Sequence, residues 1–158
     1  MELIKPTLRD IPAMQKLVAD EVASGVILAR SDDEIATNIR SYVLARDAGV
    51  LMGYAALHIH SPRLAEIRSL VVDPLFRGQS VGRKIVEFAL EEARTLGLAE
   101  VLALTYVPDF FRRLDFVEMD KEQIPEHKIW ADCIKCVHFP VCNEVSLIHT
   151  IDTTKREQ

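Results

Sequence analysis

The chain has 158 residues, 49% of them hydrophobic, which is enough for one ordinary domain with a single buried core. Acidic residues outnumber basic ones, 24 to 19, and lysine and arginine do not cluster, so no nucleic-acid partner is expected. The N-terminus lacks the basic-then-apolar pattern of a secretory signal, and no apolar run approaches membrane-spanning length. These properties predict a single cytoplasmic domain over residues 1–158 without a membrane partner. The oligomeric state stays open, with a homodimer as one alternative.

The first half of the chain predicts a short strand, two helices and three strands. Residues 2–5 form an apolar entry strand, Asp10 is expected to cap a first helix, and Ser31 a second helix that begins at Asp32. From about Tyr42 the apolar period becomes that of a strand. The runs YVLAR and VLMGYAALHIH, joined by the turn DAG, predict a hairpin, and LAEIRSLVV predicts another strand.

The second half predicts one long helix and then shorter elements. After Asp73-Pro74 and the loop RGQSVG, an amphipathic helix runs to a terminating glycine at Gly97. The following segments predict a buried strand (AEVLALTY), a short helix (PDFFRRL) and two strands (FVEMD and NEVSLIHTI). The resulting order βααβββαβαββ, without repeats or linkers, indicates a mixed α/β domain.

A loop at residues 77–84, RGQSVGRK, has the features of a phosphate-binding helix start. The first turn of a helix leaves backbone amides unpaired and carries the positive end of the macrodipole, and small residues let an anion approach. Arg77, Arg83 and Lys84 add positive charge to this loop. Alternatively, Gly78 only completes a turn and the basic side chains are solvated.

The longer run LVVDPLFRGQSVGRKIVEFALEEARTLG resembles the acetyl-CoA-binding motif of the GNAT N-acetyltransferase superfamily, in which Arg or Gln is followed by two residues, Gly, one residue and Gly. Arg77 and Gly82 match this pattern, and Ser80 replaces the first glycine. The resemblance implies a GNAT fold, with a central mixed, mostly antiparallel β-sheet flanked by helices, and acetyl-CoA as cosubstrate. It also implies that the pantetheine arm pairs with the preceding strand. The residues expected to bind acetyl-CoA are Leu70, Val71, Val72, Arg77, Gly78, Gln79, Ser80, Val81, Gly82 and Arg83.

Further segments resemble the catalytic domain of N-acetylglutamate synthases, above all the short stand-alone bacterial form: GVILARSDDEIATNI, AEIRSLVV, LALTYVPDFFRRLDF and IPEHKIWADC. The resemblance implies acetyl transfer to the α-amino group of L-glutamate, the first step of arginine biosynthesis. Longer members carry an amino-acid-kinase-like domain that binds arginine, and neither that domain nor arginine feedback through it is expected here. The basic C-terminal motif of the long synthases is not recognisable. Two alternatives therefore stay open: another small amine or amino acid is the acceptor, or the chain is a non-catalytic acetyl-CoA-binding regulatory module.

Glu66 is the candidate general base, because the acceptor amine must lose a proton before it attacks the thioester. It lies in an apolar strand, where partial desolvation could raise its pKa. Strand alternation places Glu66, Arg68 and Leu70 on one face. Family members use a glutamate at this position as base, often through water, and a backbone amide of the same strand as oxyanion donor. The alternative is an exposed carboxylate that pairs with Arg68.

The leaving thiolate needs a proton donor. Many members of the superfamily use a tyrosine four residues before a Gly-Phe pair, but here that position is Phe111 and the pair is Asp115-Phe116. In the synthases that the chain resembles, a hydroxyl on the preceding strand is the candidate acid. Thr105 occupies the matching place and Tyr106 is a substitute, although both could be packing residues.

Glutamate carries two carboxylates, so its site should supply at least two cationic or amide donors, with arginine favoured for bidentate contacts. The candidates are Arg30, Arg68 and Lys128. Arg30 matches a segment in which the family has a substrate-binding arginine. Each of the three could instead be a surface charge.

A cluster of soft ligands lies near the C-terminus. Cys133, Cys136, His138 and Cys142 fall within ten residues, and the first pair has the spacing that lets two thiolates reach one zinc ion. The remaining separations fit no zinc motif, so no metal is predicted. A structural zinc and a redox-sensitive pair stay as alternatives to packed free thiols.

Overall fold

The computed structural model of the protein describes residues 1–120, 123 and 144–151. Within these residues the helices and strands follow the predicted order βααβββαβαββ. The strands are β1 (Glu2–Ile4), β2 (Tyr42–Asp47), β3 (Val50–Ile59), β4 (Leu64–Val72), β5 (Glu100–Thr105), β6 (Val117–Glu118) and β7 (Val145–Thr150). The helices are α1 (Ile11–Ala23), α2 (Asp32–Thr37), α3 (Val81–Leu96) and α4 (Pro108–Arg112), with short 3₁₀ turns at Leu8–Asp10, Ile39–Ser41 and Pro74–Phe76.

The described strands form one mixed sheet in the order β1-β2-β3-β4-β5-β7-β6. Neighbouring strands are antiparallel throughout, except for the parallel pair β4 and β5. The long helix α3 connects these two strands, as a parallel crossover requires. The predicted mixed, mostly antiparallel sheet of the GNAT fold is confirmed.

Helices cover both faces of the sheet and enclose a core on each side. On one face α3 buries Ile85, Val86 and Ala89 in a cluster that includes residues of β2, β3, β4 and β5. On the other face α1 buries Met14 and Val18 in a second cluster that includes residues of α2, β2, β3 and β4. The sheet is therefore apolar on both sides, as its near-continuous hydrophobic strands indicate.

The two N-terminal helices begin in different ways. Ser31 forms the expected capping box, since its hydroxyl accepts from the Glu34 amide while the Glu34 carboxylate accepts from the Ser31 amide. Asp10 does not cap α1 as expected, because its carboxylate accepts from the Thr7 amide and from Arg46 instead. Burial raises the pKa of Asp10, but these hydrogen bonds outweigh it, and the pKa lies below its ordinary value.

The strands β4 and β5 separate halfway along their length. Their parallel pairing runs from Leu64 opposite Glu100 to Ile67 opposite Ala103. Just beyond, Ser69 adopts a left-handed conformation with φ of 56°, and the register with β3 shifts by one residue. This β-bulge reverses the alternation of β4, since the extra residue turns every later side chain to the opposite face.

The bulge corrects one expectation from the sequence. Glu66 and Arg68 do lie together on one face, where their side chains hydrogen bond. Leu70 does not join them, because it packs against the core cluster on the α3 side of the sheet. The bulge therefore leaves two charged residues on the face opposite α3 and supplies apolar residues to the α3 core.

Candidate active site

A cavity of about 190 Å³ lies where β4 and β5 separate. Its walls are the bulged part of β4, the C-terminal end of β5 with the residues after it, and the loop between α1 and α2. The candidates for catalysis and acceptor binding that line it together are Arg30, Glu66, Arg68 and Thr105. Residues that are up to 75 positions apart in the chain thus meet at one opening in the sheet.

Glu66 is the buried carboxylate of this cavity. Its side chain is only 6% exposed, and its Oε1 atom lies 3.0 Å from both Nε of Arg68 and Nε2 of His60. The predicted pairing with Arg68 therefore exists, but the carboxylate is not the exposed surface group of the alternative interpretation. A neighbouring guanidinium stabilises an ionised carboxylate, which is the form that a general base requires.

His60 is a site residue that the sequence analysis missed. It follows the last residue of β3, and its side chain is 7% exposed. The register of the hairpin contained the signal, because His58 lies directly opposite Glu66, and a residue two positions further points to the same face. Counting outward from the Ser61-Pro62 turn would have placed a histidine beside Glu66.

The two predicted arginines bring positive charge to the same cavity. The backbone carbonyl of Arg30 accepts a 2.7 Å hydrogen bond from the Gln15 side chain, which fixes the loop, and the Arg30 guanidinium lies 3.8 Å from the Glu34 carboxylate. Burial raises the pKa of Tyr42, although nearby Arg30 and Arg68 lower it, so Tyr42 is a neutral neighbour of both guanidinium groups. The third candidate, Lys128, lies outside the described residues.

The opposite wall of the cavity comes from β5 and α4. Thr105 is 7% exposed, and its hydroxyl oxygen accepts a 2.9 Å hydrogen bond from the Val107 amide, so its own proton can point elsewhere. Tyr106 and Phe111 line the same cavity. Phe111 is 4% exposed and makes edge-to-face contacts with Phe110 and Phe116. Phe111 therefore serves as an apolar wall in the place where other superfamily members carry a tyrosine.

The loop before α3 has the backbone of an anion cradle. Gly78 and Ser80 both have positive φ, 82° and 63°. Ser80 directly precedes α3, and its side chain does not accept a hydrogen bond from the first amides of that helix. The opening amides of this helix thus have no partner within the helix. At Gly82 a Cβ would lie 3.4 Å from the ring of Phe110, so the start of the helix packs closely against that ring. This geometry fits a pyrophosphate.

Basic side chains surround the loop, and two of them form ion pairs. Arg77 lies 3.4 Å from the Glu21 carboxylate at the end of α1, and Arg83 lies 3.5 Å from Glu87 one turn along α3. Both arginines are more than half exposed, so these ion pairs are weak and can exchange for a phosphate contact.

The cysteine cluster of Cys133, Cys136, His138 and Cys142 lies outside the described residues. Within residues 1–120, 123 and 144–151, no group of three or more His, Cys, Asp or Glu side chains is placed to hold a metal ion. In the same part of the chain, no helix has the length and apolar character needed to span a membrane.

Comparison with known proteins gives consistent matches. Residues 8–118 match the model of the acetyltransferase (GNAT) family. An uncharacterized N-acetyltransferase of Chlorobaculum tepidum is 35% identical over 144 residues, which are 91% of this chain and 92% of that protein. An amino-acid acetyltransferase of Mycobacterium tuberculosis is 33% identical over 114 residues, 70% of this chain and 65% of the relative.

A solved structure shares the fold. The N-acetylglutamate synthase from Neisseria gonorrhoeae, complexed with coenzyme A and N-acetyl-glutamate, superposes with a TM-score of 0.84 at 21% identity. The superposition covers 96% of this chain and 35% of the gonococcal one, so the chain corresponds to about a third of that larger protein.

Proposed function

The chain belongs to the acetyltransferase (GNAT) family, and we propose that it transfers the acetyl group of acetyl-CoA to the α-amino group of L-glutamate. It is an acetyl-CoA-dependent N-acetyltransferase whose relatives include amino-acid acetyltransferases. These relatives argue against a non-catalytic module. The acceptor, the catalytic residues and a place in arginine biosynthesis are the proposed part.

The observation that carries the proposal is the shared cavity of Glu66, Arg30 and Arg68. An amino-acid acceptor needs a base for its ammonium group and at least one cation for its α-carboxylate. Arg68 contacts Glu66 through Nε and also lines the cavity, so it can in addition meet a second anionic group of the acceptor, and glutamate has one. Arginine binds carboxylates through paired N–H donors, so two arginines favour a dicarboxylic amino acid over a neutral one.

In the proposed reaction Glu66 accepts the proton of the acceptor ammonium, directly or through a water. The freed nitrogen lone pair forms a bond to the acetyl carbon, and the bond from that carbon to sulfur breaks. The thiolate takes a proton from the Thr105 hydroxyl, which is restored by the second proton that leaves the attacking nitrogen. Thr105 is the proposed proton donor, because its hydroxyl lines the same cavity and its oxygen already accepts from the Val107 amide. Arg68 and His60 hold Glu66 in place on the other side.

The acetyl donor is proposed to lie along the opening between the strands. Acetyl-CoA supplies an acetyl group that is already activated as a thioester. Residues 77–83 would hold its pyrophosphate at the start of α3, and the backbone of residues 70–72 would pair with the pantetheine arm. Ser69 and Leu70 of β4 also line the cavity, so the opening connects the strand proposed to pair with the pantetheine arm to the proposed acceptor site.

A second acceptor class has one observation in its favour. Glu144 also lines the cavity, which places a second carboxylate near the arginines. An acceptor with an additional amine would pair with that carboxylate better than glutamate would. An amino acid or small amine with two amino groups is therefore the competing candidate.

The acceptor can be tested by release of free CoA thiol with glutamate, aspartate, glutamine and lysine. Glutamine is the matched control, since it has the shape of glutamate without the second charge. We expect kcat/KM for glutamate to exceed that for glutamine by about tenfold or more, the discrimination expected when a charged hydrogen bond is lost. A preference for lysine would support the diamine class and remove glutamate.

A further inference from the structure

We propose that His60 is a positioning residue that donates a hydrogen bond from Nε2 to Glu66 and holds the carboxylate in its working orientation. This inference rests on the proposed role of Glu66 as base. It concerns a residue outside the acetyl-CoA motif, in the turn after β3 and not on the strand of Glu66, and it assigns His60 no proton transfer of its own.

The geometry of the carboxylate supports this role. Two donors meet at the same atom, since Nε of Arg68 and Nε2 of His60 are each 3.0 Å from Oε1 of Glu66. One donor comes from β4 and the other from the turn after β3, and together they restrain the plane of the carboxylate and the direction of Oε2. A base that must meet an ammonium proton in a defined geometry gains from such a fixed orientation.

The imidazole itself is held rigidly. Its residue closes the hairpin turn, with the His60 amide donating to the Leu64 carbonyl over 2.9 Å, and the Ser61 hydroxyl accepts from two amides within that turn. The ring of His58 lies edge-on against it, with centroids 4.8 Å apart. The His60 ring therefore has little freedom to turn away from Glu66.

Chemistry decides which nitrogen carries the proton. An ionised carboxylate only accepts hydrogen bonds, so a bond to Glu66 requires a proton on Nε2 of His60. The chain offers an opposite case in His149, whose Nδ1 lies 3.1 Å from the Leu114 carbonyl. A carbonyl oxygen also only accepts, so His149 must carry its proton on Nδ1.

The first test is a long-range proton–nitrogen NMR correlation on the wild-type protein, which reads the protonation of each ring nitrogen. We expect a proton on Nε2 in His60 and on Nδ1 in His149. A His60 ring whose Nε2 is unprotonated cannot donate to Glu66, and this result would overturn the inference. The measurement needs neither activity nor a mutation.

The second test separates positioning from bulk packing. The variant His60→Leu should lower kcat by about tenfold or more, as expected for loss of a hydrogen bond to a charged group, with both KM values nearly unchanged. His60→Gln places an amide N–H near the position of Nε2 and should restore most of kcat. If His60→Gln is as slow as His60→Leu, or if His60→Leu is as fast as wild type, His60 does not act as the donor.

A double variant distinguishes this inference from the proposed function. If His60 acts through Glu66, His60→Leu should cost nothing further in a Glu66→Gln background. Wild-type kcat in Glu66→Gln would refute the base itself. A slow Glu66→Gln together with a fast His60→Leu would refute only the positioning role.

Discussion

The loop before α3 and the cavity between β4 and β5 are proposed to recognise their ligands in opposite ways. The loop is one contiguous segment, residues 77–83, and offers backbone amides at a helix start. The cavity is assembled from distant segments and offers buried side-chain charges, with Glu66 only 6% exposed. A backbone site tolerates a changed side chain such as Ser80, whereas a side-chain site does not. Substitutions in the cavity should therefore have strong effects on turnover of the acceptor. Substitutions in the loop should have mild effects, and these should be on acetyl-CoA binding.

The largest effect is expected for Glu66→Gln, which keeps the shape of the side chain but removes the proposed base. The kcat for glutamate should fall by about 10²- to 10⁴-fold, the usual contribution of a general base. A stopped thiol-release assay across pH measures this. Glu118→Gln, on the exposed strand β6, is the matched control and should leave kcat unchanged. Equal losses in the two variants would show that Glu66 has no special role.

Arg30→Ala should have the second-largest effect, and this effect should be on acceptor binding. Loss of a charged hydrogen bond to a substrate carboxylate should raise the KM for glutamate by about tenfold or more. Arg30→Lys keeps the charge but loses the fork of donors, so it should fall between wild type and Arg30→Ala. Initial rates at varied glutamate and saturating acetyl-CoA measure the change. An unchanged KM for glutamate would place the acceptor elsewhere.

Gly82 tests the loop, because a new side chain there points toward Phe110 and Val72. A Cβ alone meets these residues at 3.4 and 3.5 Å, an ordinary contact, so Gly82→Ala should fold and bind acetyl-CoA nearly normally. Gly82→Val adds two further methyl groups and should cost about 1–3 kcal/mol of stability through overpacking. Chemical denaturation and calorimetric binding of acetyl-CoA measure both effects. If the two variants behave alike, the loop is not tightly packed at this glycine.

Ser80→Gly should have the smallest effect, and a favourable one. The left-handed backbone at Ser80 costs a residue with a Cβ about 1–2 kcal/mol, and the greater chain freedom of glycine offsets part of the gain. The free energy of unfolding should rise by up to about 1 kcal/mol. A stiff β-branched residue is the contrasting control, since Ser80→Val should destabilise the fold. A less stable Ser80→Gly would mean that the serine side chain is needed.

The same contrast explains what the sequence could and could not predict. The order of elements and the loop that precedes α3 were predictable, because apolar period, caps and glycines act over a few residues. Glu66, Arg30 and Thr105 were named from a family resemblance, and the cavity that joins them depends on long-range pairing. Their chemical roles remain predictions.

Three features escaped the sequence for physical reasons. The bulge at Ser69 sits in a run of good strand formers and has no glycine to mark it, so the reversal at Leu70 was not predictable. The capping role expected of Asp10 was lost to competition from Arg46, a residue 36 positions away. The contact of His60 with Glu66 depends on the hairpin register, which places His58 opposite Glu66 and His60 two positions further on the same face.

The central claim is that acetyl-CoA binding and acceptor chemistry depend on separate parts of the molecule. Calorimetric Kd values for acetyl-CoA, measured on the same preparations of wild type, Glu66→Gln and Arg30→Ala that are used for turnover, test it most directly. We expect Kd values that agree within about twofold while turnover of glutamate falls in both variants, because neither side chain is proposed to bind acetyl-CoA. A parallel loss of acetyl-CoA binding and turnover would contradict it.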